Sequence, residues 1–252
     1  YSFRSMFVGC SSLTDVNALI DWNVSNGNDF SAMFGACSSL TDVNGLINWN
    51  VSNASEYVGM FSRCSALYDI EGLRNWDVSK GKNFTAMFIE CKSLKSLKGL
   101  ENWNVSNSTK LIQMFSFCHK LNDINALINW NVSNVENFSF MFNECSALSD
   151  ISALKNWDVS KCNVFDSMFQ SCSFKNLNGL ENWNVSNGYN FKAMFCSCEL
   201  LLNINSLKNW DVSKGKNFSG MFASCYSLSD ISPIRNWNVS NGEDFSYMFQ
   251  LC

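Results

Sequence analysis

The sequence predicts a repeat solenoid, leucine-rich-repeat-like, of about nine 27-residue coils, each with a short helical turn and short parallel strands. Three observations predict it. Met-Phe pairs begin at Met6, Met33, Met60, Met87, Met114, Met141, Met168, Met194, Met221 and Met248, a step of 27 residues broken once by a step of 26. Tryptophan keeps the same beat at Trp22, Trp49, Trp76, Trp103, Trp130, Trp157, Trp183, Trp210 and Trp237. Each unit carries about nine apolar residues, too few to close a core alone, so it must bury them against its neighbours. The short step has a visible cause: "CSFKNLNGLENW" from Cys172 lacks one residue relative to "CKSLKSLKGLENW" from Cys91. No linker or change of composition divides the chain, so residues 1–252 read as a single uncapped solenoid domain.

Each unit reads in three parts. In "FSAMFGAC", Phe30, Met33, Phe34 and Cys37 fall at i, i+3, i+4 and i+7, one face of a two-turn helix that needs neighbours to be stable. Next, Leu40, Val43 and Leu46 are spaced by three, as in leucine-rich repeats, where a short strand leads into a bend. In "NWNVS", Trp49 and Val51 alternate with polar residues as in a strand. A turn follows, with Gly27, Gly81, Gly188, Gly215 and Gly242 in five units. Ala54, Ser108, Val135 and Cys162 take that place elsewhere, so a positive φ is not obligatory there. Stacked units would bring each apolar position over its own copy at about 4.8 Å, the spacing of strands.

The unit "MFxxCxxLxxIxxLxNW[ND]VSN" resembles the DUF285 repeat, a BspA-like relative of leucine-rich repeats. Met87, Phe88, Cys91, Leu94, Trp76, Asp77, Val78 and Ser79 carry the match, and ten copies of MFxxC extend it over essentially the whole chain. Two features differ from the family pattern: the unit is slightly longer before Trp, and the residue after "VSN" is mostly Gly. The resemblance implies an extracellular or cell-surface protein used for adhesion, display or surface structure, without enzyme activity.

The residues themselves offer little catalytic chemistry. Net charge is −4 and 16% of residues are charged, which argues against a general nucleic-acid binder. Lys92, Lys95 and Lys98 read as a solvated face. No apolar run is long enough to span a membrane. Tyr1 already lies inside a repeat, which suggests a mature product or a slice of a longer chain. His119 has no matching acid or nucleophile, and no phosphate-binding, nucleophile-elbow or metalloprotease motif occurs. No cofactor and no metal are expected: the only close cysteine pair is Cys196 and Cys198.

Ten cysteines keep the repeat: Cys10, Cys37, Cys64, Cys91, Cys118, Cys145, Cys172, Cys198, Cys225 and Cys252. Pairing them would break a uniform ladder, so reduced, buried thiols are the expectation, with disulfides the alternative. Possible N-glycosylation acceptors are Asn23, Asn50, Asn53, Asn83, Asn104, Asn107, Asn131, Asn137, Asn184, Asn217 and Asn238. Asp replaces the acceptor at Asp77, Asp158 and Asp211, yet the Ser two places on persists in all nine units, so the pattern is structural first. The Asp15, Asp42, Asp69, Asp123, Asp150 and Asp230 row reads as Asx turns rather than a calcium ladder. The residue before Trp is Asn in eight units, which suits a corner hydrogen bond or, alternatively, a carbohydrate-binding row.

Both ends carry the same Met-Phe element without a polar cap, so caps outside the chain or another copy would cover them. The expected function is a structural or adhesive protein, extracellular or at the cell surface, stacking head to tail in a fibre. The alternative is a binding module that recognises a host or cell-surface protein or glycan through one face.

Overall fold

The computed structural model describes residues 1–252. Parallel backbone bridges join Ser2 to Asp29, Asp29 to Glu56, and onward through Asn83, Lys110, Asn137, Val164, Asn190 and Asn217 to Asp244. The Met-Phe segments therefore form one column, and like residues of successive coils sit over one another. The Trp76 ring centroid is 6.3 Å from that of Trp49 and 6.3 Å from that of Trp103, with planes 2° and 4° from parallel. A second column runs from Phe7 to Phe249, with ring separations from 5.3 Å at Phe7–Phe34 to 5.9 Å at Phe169–Phe195. The buried side chains form one continuous core from Val16 to Leu228.

The helix expected over FxxMFxxC does not form. Met33 N–H donates to Phe30 O at 3.1 Å, Gly35 N–H to Ala32 O at 3.0 Å and Cys37 N–H to Phe34 O at 3.2 Å. The intervening N–H groups of Phe30, Ala32, Phe34 and Ala36 donate to Glu56, Val58, Met60 and Ser62 of the next coil at 2.7–2.9 Å. Ala32 and Ala36 have φ of 53° and 59°, which makes the turns they close type II. Back-to-back turns place the same four side chains inward as the helix would. They win because a two-turn helix leaves most of its terminal N–H and C=O groups unpaired.

Two residues in each such segment take the left-handed conformation, and only Gly9, Gly59 and Gly220 among them are glycines. Left-handed φ costs an L-residue about 1–2 kcal/mol, and none of these positions holds a β-branched residue. At Ala86, φ is 56° and the N–H is bonded to Ile112 O at 2.8 Å. Ala86→Val is expected to destabilise by about 2 kcal/mol, and Ala86→Gly to be neutral or stabilising by up to about 1 kcal/mol. Urea unfolding of both variants beside the parent checks this; equal losses for Val and Gly would contradict it.

The expected strands are also absent as paired elements. In "NWNVS", Trp49 and Val51 are buried and Asn50 is exposed, as alternation requires. The backbone, however, turns locally: Asn50 Oδ1 accepts Ser52 N–H at 3.1 Å, and Ala54 N–H closes onto Val51 O at 2.9 Å. Side chains tie the coils here instead. Asn53 Nδ2 donates to Ser25 O at 2.9 Å, and Trp49 Nε1 to Leu19 O at 2.9 Å.

Between Cys and Trp most coils make a short 3-10 turn, at Asn17–Leu19, Asn44–Leu46, Glu71–Leu73, Asn125–Leu127, Ser152–Leu154, Asn205–Leu207 and Ser232–Ile234. The two coils reading "GLENW" depart: Gly99 and Gly179 take φ of 105° and 109°. Each donates its N–H at 2.7 Å to a following glutamate, Glu101 or Glu181. The missing residue near Cys172 is absorbed locally. Phe174 fills the core edge-on to Phe169, and the Trp183 and Cys198 bonds to the preceding coil keep their pattern.

The glycine after "VSN" is steric in origin. A Cβ at Gly27 would lie 2.6 Å from Cζ of Phe30, whose ring fills the space beneath it. Where Val135 stands instead, the ring three residues on is turned. Phe138 lies 25° from parallel with Phe165, whereas Phe165 and Phe191 differ by 6°.

Candidate functional site

Most recurring polar residues are consumed by the coil itself. The acceptor of every "NVS" or "DVS" receives the N–H of the Ser two places on, as at Asn23, Asp77 and Asn238 at 3.1, 3.0 and 3.1 Å. The Asp row forms the same turn: Asp15 accepts Asn17 N–H at 3.1 Å and Asp150 accepts Ser152 N–H at 2.8 Å. Asn83, Asn137 and Asn217 do so at a third corner, half-buried beside the bridge column. Asn53 and Asn107 spend their Nδ2 groups on carbonyls of the preceding coil. Of the eleven possible acceptors, Asn23, Asn50, Asn104, Asn131, Asn184 and Asn238 are exposed with no hydrogen bond from Nδ2.

The ladder tryptophans and cysteines face inward. From Trp49 to Trp237 each indole N–H donates to a leucine carbonyl of the preceding coil at 2.9–3.1 Å, as Trp103 does to Leu73. Trp22 has no such bond and is 38% exposed. From Cys37 to Cys252 each thiol approaches a Phe carbonyl of the preceding coil at 3.1–3.3 Å. All twelve cysteines are free; Cys10 and Cys252 are exposed, and the other repeat cysteines are buried. Burial pushes the Cys64 and Cys118 thiols up to about 12, and Cys91, Cys145, Cys172 and Cys198 well above the usual thiol range. His119 Nδ1 lies 3.0 Å from Glu144 O, and its ring meets Phe117 edge-on.

One polar substitution is coupled in a way single residues did not reveal. Units reading "DVS" always continue with Lys, at Asp77/Lys80, Asp158/Lys161 and Asp211/Lys214, and units reading "NVS" always continue with Asn. The three lysines each donate to an Asn Oδ1 of the preceding coil, at 2.8, 2.6 and 2.6 Å. Hydrogen bonds from the Ser79 hydroxyl and N–H hold Asp77 below the usual carboxylate range, with Lys80 adding to the effect. The charges thus enter as compensated pairs, and no two charged units are adjacent.

One recurring residue is left without a role in the coil. The Asn before each Trp is exposed in all eight units that carry it. Only Asn75 makes a side-chain hydrogen bond, to Ile47 O at the long limit of 3.5 Å. The preceding position drifts: it is Ile47, Arg74, Glu101, Ile128, Lys155 and Glu181 in successive units. Two residues along the chain, the Asn or Asp of the "NVS" turn points outward on the same face, with Trp turned inward between them. A depression of about 350 Å³ opens on this face between Ile47, Asn48, Trp49, Asn50, Asn75 and Asp77. Another, of about 280 Å³, includes Asn209 and Asn236 of the same row beside Lys208 and Arg235. Elsewhere, a groove of about 400 Å³ lies along Tyr189, Lys214, Lys216 and Glu243. A dent of about 360 Å³ beside Ser146, Ser171, Ser173 and Glu199 marks the coil that is one residue short.

The sequence profile described as "Mycoplasma protein of unknown function, DUF285" matches residues 1–96, 67–178 and 164–252. No curated protein sequence matches the chain. Among solved structures, the chain is similar to a leucine-rich repeat protein from Bacteroides ovatus ATCC 8483. The identity is 16% and the TM-score 0.38, over 59% of this chain and 34% of that one. It therefore spans about a third of that relative's length. It is also similar to a leucine rich cell surface protein from Faecalibacterium prausnitzii A2-165. Here the identity is 15% and the TM-score 0.34, over 97% of this chain and 75% of that one.

Proposed function

Because the chain belongs to the DUF285 family and matches its repeat along the whole length, we propose that it is a non-enzymatic structural or adhesive repeat protein of the cell surface, a segment of an extended fibre. The observation that carries this reading is uniformity. The same donors meet the same acceptors at every step, from Trp49 Nε1 on Leu19 O to Trp237 Nε1 on Leu207 O. A further coil, of this chain or of a second copy, would meet the same groups, which is how an open head-to-tail fibre grows. A second reading, a binding module acting through one face, is favoured by the exposed Asn row, whose recurrence the coil does not use.

Surface labelling of intact producing cells, joined to negative-stain imaging of the purified chain, tests the first reading. It expects the chain to be accessible outside the cell and to form end-to-end rods. A chain protected inside the cell and monomeric at every concentration would overturn it.

A further inference from the structure

We infer that the turn asparagines Asn23, Asn50, Asn104, Asn131, Asn184 and Asn238 are N-glycosylation sites, and that the other sequons of the chain stay bare. This deepens, and rests on, the reading of the chain as a cell-surface protein. An Asn-x-Ser/Thr triplet without Pro is the acceptor signal for an N-linked sugar, and the coil sorts these triplets into two groups by what each amide already does.

In the first group the Asx turn fixes Oδ1 and leaves Nδ2 free. Asn50 Oδ1 accepts the Ser52 N–H at 3.1 Å and the Ser52 hydroxyl at 2.7 Å, and Asn23 does the same with Ser25 at 3.1 and 2.7 Å. Asn184 accepts the Ser186 N–H at 3.2 Å. All six residues are exposed, and none donates from Nδ2. A hydroxyl donating to Oδ1 draws electron density from the amide and makes the Nδ2 protons easier to remove. The middle residue of the triplet is buried at Val24, Val51, Val105, Val132 and Val185, so these acceptors stand on an anchored turn.

The second group is engaged or enclosed. Asn53 and Asn107 donate from Nδ2 to Ser25 O at 2.9 Å and Ser79 O at 2.6 Å, so a sugar there would break a tie between coils. Asn83, Asn137 and Asn217 are half-buried in the bridge column, each followed by a buried phenylalanine, and a sugar on them would crowd the coils joined there.

The donor is a sugar activated as a phosphate ester, supplied with its transferase by the producing cell. Nδ2 attacks the anomeric carbon; the new C–N bond forms as the C–O bond to phosphate breaks. The phosphate leaves with the bonding pair, and the Nδ2 proton passes to a base of the transferase. The product keeps Oδ1 and one N–H, so the Asx turn survives. Asp77, Asp158 and Asp211 interrupt the row, so no more than two acceptors follow one another in successive coils.

Peptide mapping by mass spectrometry of the full chain, purified from the cells that make it, tests the assignment. Whole hexose or N-acetylhexosamine increments are expected at one or more of the six turn asparagines, and none at Asn53, Asn83, Asn107, Asn137 or Asn217. The combined Asn50→Asp and Asn184→Asp variant is expected to lose sugar at those two positions only and to fold as the parent does, because Asp77 already makes the same turn with the Ser79 N–H at 3.0 Å. Sugar at any of the other five asparagines would overturn the inference. So would a bare-sequence mass in a chain that surface label reaches on intact cells, an outcome that leaves the surface reading standing. A bare mass in a chain protected from the label would overturn both.

Discussion

Trp103→Ala is expected to destabilise the protein by about 4 kcal/mol, within the range for removing a buried aromatic. Three losses combine. The buried indole is removed from a core where it is 3% exposed. Its parallel contacts with Trp76 at 6.3 Å and Trp130 at 6.4 Å go with it. The Leu73 carbonyl, which keeps the Trp76 N–H at 3.1 Å, loses its second donor at 3.1 Å, a net loss of about 1 kcal/mol. Trp22→Ala is the internal control, since Trp22 is 38% exposed and donates no ladder bond. Its cost is expected to stay below about 1 kcal/mol. Urea unfolding of the two variants reads the difference, and similar losses at both positions would contradict the stacked core.

The thiol column should make the fold sensitive to alkali. An unfolded thiol titrates near 8.5, whereas burial pushes Cys64 and Cys118 up to about 12 and raises Cys91, Cys145, Cys172 and Cys198 well above the usual thiol range. Above pH ~8.5 the unfolded chain therefore holds fewer protons than the folded one, and stability falls as pH rises toward the folded-state values. Each such thiol removes about 1.4 kcal/mol per pH unit in that window. Six acting together remove on the order of 8 kcal/mol per unit, comparable to the whole stability of a typical domain. The chain is expected to unfold steeply between about pH 9 and 11, as monitored by tryptophan fluorescence and circular dichroism. Replacing Cys118 and Cys145 with alanine should make that loss shallower. A midpoint temperature that holds steady from pH 8 to 11 would refute the buried, protonated ladder.

The solenoid was legible because its cause is written at long range: a 27-residue beat of Met-Phe and Trp has no other economical packing solution. The local elements were harder to read. Phe30, Met33, Phe34 and Cys37 share a face in a helix and also in two consecutive type II turns, so spacing could not separate the two. The deciding features were the left-handed φ of Ala32 and Ala36 and the bonds to the next coil, and Ala at both positions gives no hint of either. The strand reading of "NWNVS" identified the inward Trp49 and Val51 correctly. It missed that Asn50 would take the Ser52 N–H and end backbone pairing there. The replacement of the glycine after "VSN" by Ala54, Ser108, Val135 and Cys162 already argued against a required positive φ, but the steric reason for glycine, the Phe30 ring three residues on, needed coordinates. At the candidate site the Asn row was visible as a pattern. Its lack of internal partners needed coordinates, because the neighbouring "NVS" asparagines look the same in sequence yet spend Oδ1 on the Ser N–H.

The central claim is that each 27-residue unit is one interchangeable coil, bonded only to the coils on either side. Removing residues 91–144, two whole units that join Glu90 to Cys145 in register, tests it most directly through small-angle X-ray scattering. The shortened chain is predicted to remain folded and to lose roughly 10–13 Å of length, two coil steps bounded by the strand spacing and the 6.3 Å step of the Trp column, with its cross-section unchanged. A chain that unfolds, or that shrinks in cross-section rather than in length, would contradict the stacked-coil account.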